Sequence, residues 1–399
     1  MRRSPLPEPF DFEPSLSAAG RRRGRGSAMV TPGRSDGALV ADLTVGQPAV
    51  DVLPLEELAE AARAALPGNP KALLYTHTEG AAELIDVVRA KLQHYEGLDL
   101  DRDQIAITSG SSQAIDLVLR TFTELDGPLA MDEVSYGAIP ARRLTGRVDH
   151  IPFDDDGPQP EAVARHARAL DRPFVFYTMP TFQNPTGMTV GMTRRRELLD
   201  VCRAEGVPIL EDDAYYELRY EGERVPSLLE LDGGSGLVVR TGTFSKILGA
   251  GIRLGWMASS APLIDRVLRL KPDSGTSPFA SAIAARFMQD HMESQIARVR
   301  AFYRDKRDLI MEALDRHLED RAAWRTPEGG FFVWITFDPS RDVAAIVREC
   351  AERGVRVRSG AEFRVDGDTR HAIRLAFSHT EPQAIERGVE ILGEVVAEQ

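Results

Sequence analysis

Lysine is scarce in this chain. Of 399 residues, 49 are lysine or arginine, and only Lys71, Lys91, Lys246, Lys271 and Lys306 are lysines. A reaction that needs an amine nucleophile therefore has few candidates. Cysteine is scarcer still. Cys202 and Cys350 alone build neither a disulfide framework nor a four-thiolate metal site. No run approaches the roughly 18 apolar residues that span a bilayer, so no membrane partner is expected. A secretory apolar segment is missing too, which makes the cytoplasm the expected location. Excess positive charge is also lacking. The formal net charge of -12 disfavours nonspecific nucleic-acid binding, because phosphate backbones reward positive surface. What remains is ordinary for a globular protein: 43% hydrophobic and 28% charged residues exclude wholesale disorder. The length suits two or three domains of roughly 150 residues.

Residues 1–37 are rich in Arg, Gly, Pro and Ser and show no hydrophobic period, which predicts a flexible N-terminal arm. The arm is too short for an appended DNA-reading domain with its linker. Apolar side chains recur at helical spacing over 55–66 and 81–95. Short apolar runs at 104–108, 128–131, 173–178, 207–211 and 237–241 then alternate with helical segments at 112–122, 160–169 and 193–205. Such alternation predicts an α/β fold with a doubly wound, mainly parallel sheet. From about residue 290 the texture changes to a long charged helix (291–318), a strand at 331–337, a helix at 342–353, short strands at 355–358 and 372–377, and a final helix at 381–397. The expected organisation is a large domain over 70–288 and a smaller α+β domain built from 38–69 and 289–399.

In an open parallel sheet, functional groups belong at the carboxyl ends of the strands. After 104–108 come Gly110, Ser111 and Ser112 at a helix start, which can hold an anion or merely cap the helix. After 128–131 comes Tyr136, either a stacking platform for a flat heterocycle or a core tyrosine. After 173–178, Pro180, Pro185 and Gly187 stiffen a turn that holds Asn184. After 207–211 come Asp212, Asp213 and Tyr215. Successive side chains on a strand point to opposite faces, so the two aspartates should differ in role. No nearby His or further carboxylate has metal-ligand spacing, so no metal is expected. After 237–241 comes Thr243-Phe244-Ser245-Lys246, followed by Gly249, Gly251 and Arg253. Apolar neighbours would desolvate the Lys246 amine, lowering its pKa and raising its nucleophilicity. The other four lysines have polar or charged neighbours, which predicts solvated side chains.

These motifs, from about Gly46 to Arg374, together resemble the fold type I pyridoxal-phosphate (PLP) enzymes of the class I/II aminotransferase family. The resemblance implies that Lys246 forms the internal aldimine with pyridoxal 5'-phosphate. It implies that Asp212 faces the pyridine nitrogen, that Tyr215 and Asn184 bond the ring hydroxyl, and that Tyr136 stacks on the ring. Gly110, Ser111, Ser112, Thr243, Ser245 and Arg253 fall where the family grips the phosphate. Arg374, in Ile373-Arg374-Leu375, matches the substrate carboxylate clamp, with Gly46 beside it. Tyr75 resembles the tyrosine sent from the neighbouring subunit, which implies a homodimer. The substrates implied are an amino acid and a keto acid. The alternative on the same scaffold is β- or γ-elimination, replacement or a cyclising synthase reaction; a third possibility is a regulator that keeps the fold without the reaction. His77 departs from many relatives, as does the loop 271–278, which is expected near the pocket mouth.

Overall fold

The computed structural model describes residues 38–123, 127–136, 147–170, 174–364, 366, 368 and 371–399; the arm expected at 1–37 lies outside them. The chain opens with β1 (Ala41–Asp42), α1 (Leu55–Ala65) and α2 (Ala82–Glu96). Then follow β2 (Ile105–Thr108), α3 (Ser111–Phe122), β3 (Pro128–Asp132), β4 (Arg147–Ile151), β5 (Phe153–Asp154), β6 (Gly157–Pro158) and α4 (Pro160–Ala169). Next come β7 (Phe176–Thr178), α5 (Met192–Glu205), β8 (Ile209–Asp212), α6 (Leu228–Asp232), β9 (Val238–Thr243), β10 (Gly255–Ala258) and α7 (Ala261–Leu268). The remainder is α8 (Pro278–His317), β11 (Ala323–Trp324), β12 (Phe332–Thr336), α9 (Val343–Glu352), β13 (Val355–Arg356), β14 (Arg358–Ser359), β15 (Ala372–Ala376) and α10 (Pro382–Glu398).

Seven strands form the central sheet in the order β2-β10-β9-β8-β7-β3-β4. All run parallel except β10, which is antiparallel to both of its neighbours. The strands read as continuous apolar runs because both faces are covered. Alternate residues serve opposite faces: Ile105 and Ile107 belong to one core cluster, while Ala106, on the other face, joins Met131, Tyr177 and Leu210 in the second. The second sheet is antiparallel, in the order β11-β12-β15-β14, and closes a third core cluster with α9 and α10. The N-terminal strand β1 pairs in parallel with β13, Ala41 opposite Val355. Among the described residues, no helix is long and apolar enough to cross a membrane.

Several elements differ from the sequence expectations, three of them in the frame that carries the site. The long helix begins at Pro278 rather than at 291 and runs 40 residues. Ser277 caps it, its hydroxyl accepting from the Ala280 N–H at 3.2 Å, and Pro278 occupies the first turn, where a missing N–H costs nothing. Its first turns bury Ser281, Ile283, Ala284, Ala285, Phe287 and Met288, so no polar stripe marks them as helical. The boundary expected between 288 and 289 falls inside this helix. Strands β4 and β10 were not anticipated. The first is half polar (Arg147-Val148-Asp149-His150-Ile151), and the second has only four residues and starts with glycine.

Candidate active site

The carboxyl ends of β2, β3, β7, β8 and β9 face one cavity of about 520 Å³. Gly46, Gly110, Ser111, Ser112, Tyr136, Asn184, Asp212, Tyr215, Thr243, Ser245, Lys246, Arg253 and Arg374 all line it. Tyr75 does not; it is 93% exposed. His77 is exposed as well. The loop 271–278 packs on the same segment: Ser274 accepts from the Thr76 N–H at 3.3 Å, and Lys271 donates to the Thr78 carbonyl at 2.9 Å.

One end of the cavity is built for an anion. Gly110 precedes α3 with φ of 76°, a left-handed value that other residues adopt only with strain. A Cβ there would lie 2.9 Å from Arg253 Nη2, so only glycine lets the guanidinium approach the helix N-terminus. Arg253 itself holds a left-handed φ of 55° and makes no ion pair among the described residues. Uncapped N–H groups and an unneutralised guanidinium at one point attract negative charge. Across from them, the Thr243 hydroxyl accepts from the Ser245 N–H at 3.1 Å and bonds the Ser245 hydroxyl at 2.9 Å.

The centre holds the amine and the carboxylate. Lys246 follows β9 on a turn closed by the Ile247 and Leu248 N–H groups, which both donate to the Phe244 carbonyl. Its Nζ donates to the Gly46 carbonyl at 3.1 Å and lies 5.3 Å from the Tyr215 ring centroid. It makes no ion pair among the described residues. Burial pushes the amine down to about 8, with the Asp212 charge opposing and Arg253 and Arg374 adding to the effect. The expectation of solvated side chains fails for three of the other lysines. Lys91, Lys271 and Lys306 are buried because each ammonium finds a partner: Glu217, Asp273 and the Ser378 carbonyl, respectively. Among the described residues, Lys246 is the one lysine that lines this cavity.

Asp212 and Asp213 point to opposite faces of β8. Asp212 turns into the cavity side, accepts from the Tyr177 hydroxyl at 2.7 Å, and is pushed up to about 6 by burial. Asp213 turns away and pairs with buried Arg240 at 2.9 Å, which also pairs with Glu96. Tyr215 sits edge-on to Phe331 and Phe332 at 5.5 and 5.6 Å, and burial pushes its phenol up. The Tyr136 N–H donates to the Asn184 carbonyl at 2.9 Å, tying the β3 and β7 ends together.

The far end is a second anion site. Arg374 on β15 is 2% exposed. It donates to Asn184 Oδ1 at 3.1 Å and to the Thr44 carbonyl, while its buried Nε has no hydrogen-bond partner. It makes no ion pair among the described residues, and a buried cation without a counter-charge costs several kcal/mol. Phe332 Cζ would lie 2.7 Å from a Cβ on Gly46, so a side chain there would force the strand away. Phe332, Thr44, Gln47 and Met179 also line the cavity and were not singled out from the sequence. Gln47 directly follows Gly46 in the sequence; Phe332 and Met179 carry no signal beyond core hydrophobicity. Among the described residues, no group of three or more His, Cys, Asp or Glu is placed to hold a metal ion.

Residues 39–392 match the family model for aminotransferase class I and II. Aromatic-amino-acid aminotransferase 1 of Thermococcus litoralis is 30% identical over 370 residues, covering 90% of this chain and 88% of its own. The solved structure of a Pyrococcus horikoshii kynurenine aminotransferase superposes with a TM-score of 0.84 at 30% identity, over 91% of this chain and 92% of that one. The α-aminoadipate aminotransferase of Thermus thermophilus, complexed with N-(5'-phosphopyridoxyl)-L-leucine, gives a TM-score of 0.87 at 29% identity, over 98% of this chain and 99% of that one.

Proposed function

The chain belongs to the class I and II aminotransferases, and on that premise we propose how its cavity residues divide the work. It is a PLP-dependent transferase that exchanges an amino group between amino acids and keto acids. The three relatives above carry aminotransferase names, and the elimination, replacement and cyclisation alternative is set aside. The cavity fits the cofactor: an anion cradle at Gly110 and Arg253, a buried acid at Asp212, and the Lys246 amine all line it. When bound, PLP supplies an electron sink for charge developing at the substrate Cα.

The α3 N-terminus, Ser111, Ser112, Thr243, Ser245 and Arg253 hold the phosphate. Lys246 Nζ is the covalent anchor. Its amine would also move the Cα proton, a task suited to a group titrating near 8. The Asp212 carboxylate holds a proton on the pyridine nitrogen. Asn184 and Tyr215 orient the ring hydroxyl, and Tyr136 covers a ring face. Arg374, beside Gly46, forks onto the substrate α-carboxylate and orients the Cα bonds. The observation that carries this reading is the Lys246 amine, held by the Gly46 carbonyl without an ion pair among the described residues, in one cavity with Asp212, Arg253 and Arg374. Borohydride treatment of cofactor-loaded protein, followed by peptide mass analysis, is expected to leave the cofactor's mass on the Lys246 peptide. Label on another lysine, or none, would overturn the assignment.

We also read the chain as a homodimer in which Tyr75 reaches the partner's phosphate. The support is the exposed apolar run Leu73, Leu74 and Tyr75, at 79%, 61% and 93% exposure, since adjoining exposed apolar side chains mark interaction surfaces. Mixing Tyr75→Ala and Lys246→Ala chains should restore one intact site per mixed dimer, about a quarter of full activity for random pairing. No gain on mixing would exclude a shared site. The cytoplasmic assignment rests on two buried, unpaired cysteines, which suit a reducing compartment.

A further inference from the structure

The geometry points to Tyr177 as a positioning residue that clamps the Asp212 carboxylate, leaving its second oxygen to face the pyridine nitrogen. The inference rests on the role proposed for Asp212 and goes one layer deeper. Tyr177 lies on β7, opposite Leu210 on β8 and Met131 on β3. Residues two apart on a strand share a face, so Leu210 and Asp212 both stand on the face that carries the Tyr177 ring. The ring is 1% exposed, and its hydroxyl donates to Asp212 Oδ2 at 2.7 Å.

The other neighbours cannot do this. Thr241 on β9 reaches Asp212 Oδ1 only at 3.5 Å, the outer limit of a hydrogen bond. Lys246 acts on Asp212 through charge alone. Tyr136, beyond β3, and Tyr215, beyond β8 itself, interact with it electrostatically. Burial drives the Tyr177 phenol far up, so it stays protonated and can only donate along this bond. Donation favours the ionised carboxylate, and a carboxylate fixed at one oxygen cannot swing away from the ring nitrogen.

A buried tyrosine needs an acceptor in any core, so the test must separate clamping from packing. The full chain is stripped of cofactor and titrated with PLP and with a carbocyclic analogue in which C–H replaces the ring nitrogen, across pH 5–9. Wild-type affinity for PLP should fall on the acid side as Asp212, near 6 in the empty site, takes up a proton; affinity for the analogue should not. Tyr177→Phe keeps the ring and loses the donor. PLP affinity should drop about 10- to 100-fold near neutrality, the loss of one hydrogen bond to a charged group, and its acid limb should begin at higher pH. Affinity for the analogue should be unchanged. Equal losses for both ligands, or an unmoved acid limb, would reduce Tyr177 to packing and leave the Asp212 assignment standing. A wild type that treats both ligands alike would instead overturn the Asp212 assignment. Should Tyr177→Phe fold poorly, 3-fluorotyrosine at 177 preserves shape and strengthens the donor. The acid limb should then move to lower pH, and a limb that stays in place refutes the clamp.

Discussion

Replacing Arg374 with methionine separates what a residue does for substrate from what it does for stability. The guanidinium is buried and makes no ion pair among the described residues; burial, then repulsion from Arg358, pulls its pKa down to about 9 against the opposing charges of Glu362 and Asp42. Each tenfold in proton affinity is about 1.4 kcal/mol. Holding the charge in the empty site therefore costs about 4–5 kcal/mol. The side chain also satisfies Asn184 Oδ1 and the Thr44 carbonyl, and losing those two bonds from a charged donor costs about 1.5–3 kcal/mol each. Methionine fills a comparable volume and avoids a cavity. The two effects nearly offset, so the cofactor-free variant is expected to lie within about 2 kcal/mol of wild type, read by urea unfolding at equal m-value. The same change removes a two-point, charge-assisted clamp of about 3–5 kcal/mol, so kcat/KM for the amino donor should fall about 10²- to 10⁴-fold. Cofactor affinity should hold. An Arg374→Met protein destabilised well beyond that range, with near-normal kcat/KM, would show that the guanidinium is structural and that the carboxylate binds elsewhere.

Two further outcomes follow from other parts of the site. Burial favours the neutral Lys246 amine, so the rate at which cofactor-free protein captures PLP should climb with pH, reach half its plateau near 8, and stay flat above; stopped-flow absorbance checks this, and a midpoint near the ordinary lysine value would mean a solvated amine. Asp132 accepts from Thr178 Oγ1, the Met179 N–H and Gln183 Nε2 at 3.0–3.2 Å, pinning the turn that carries Asn184. Asp132→Ala should cost about 2–4 kcal/mol and Asp132→Asn, which keeps an acceptor, markedly less; equal effects in urea unfolding would contradict the pinning role.

The strand-end residues were legible in the sequence because each chemically distinctive type follows a short apolar run that can only be a buried strand. Lys246 was legible for a simpler reason, the scarcity of lysine. The partners of these residues were not. Tyr177 and Asp132 sit inside or at the end of apolar runs and read as core, and only the register of β3, β7 and β8 brings them against Asp212 and the Asn184 turn. The buried lysines misled because a charged neighbour in sequence says nothing about a partner distant in the chain, such as Glu217 for Lys91. The start of α8 was hidden because an enclosed helix loses its polar stripe.

The pairing of β1 with β13 sets an order of events during synthesis. Ala41 leaves the ribosome early, yet its partner Val355 lies more than 300 residues behind. At about 5–20 residues per second, the first strand waits about 15–60 s for its seat. Throughout that interval Ala41 and Leu43, later sealed at 2% and 0% exposure, stand open to water and to any neighbouring nascent chain. The central sheet, whose strands all end by Ala258, can assemble meanwhile, so the seam between β1 and β13 closes late.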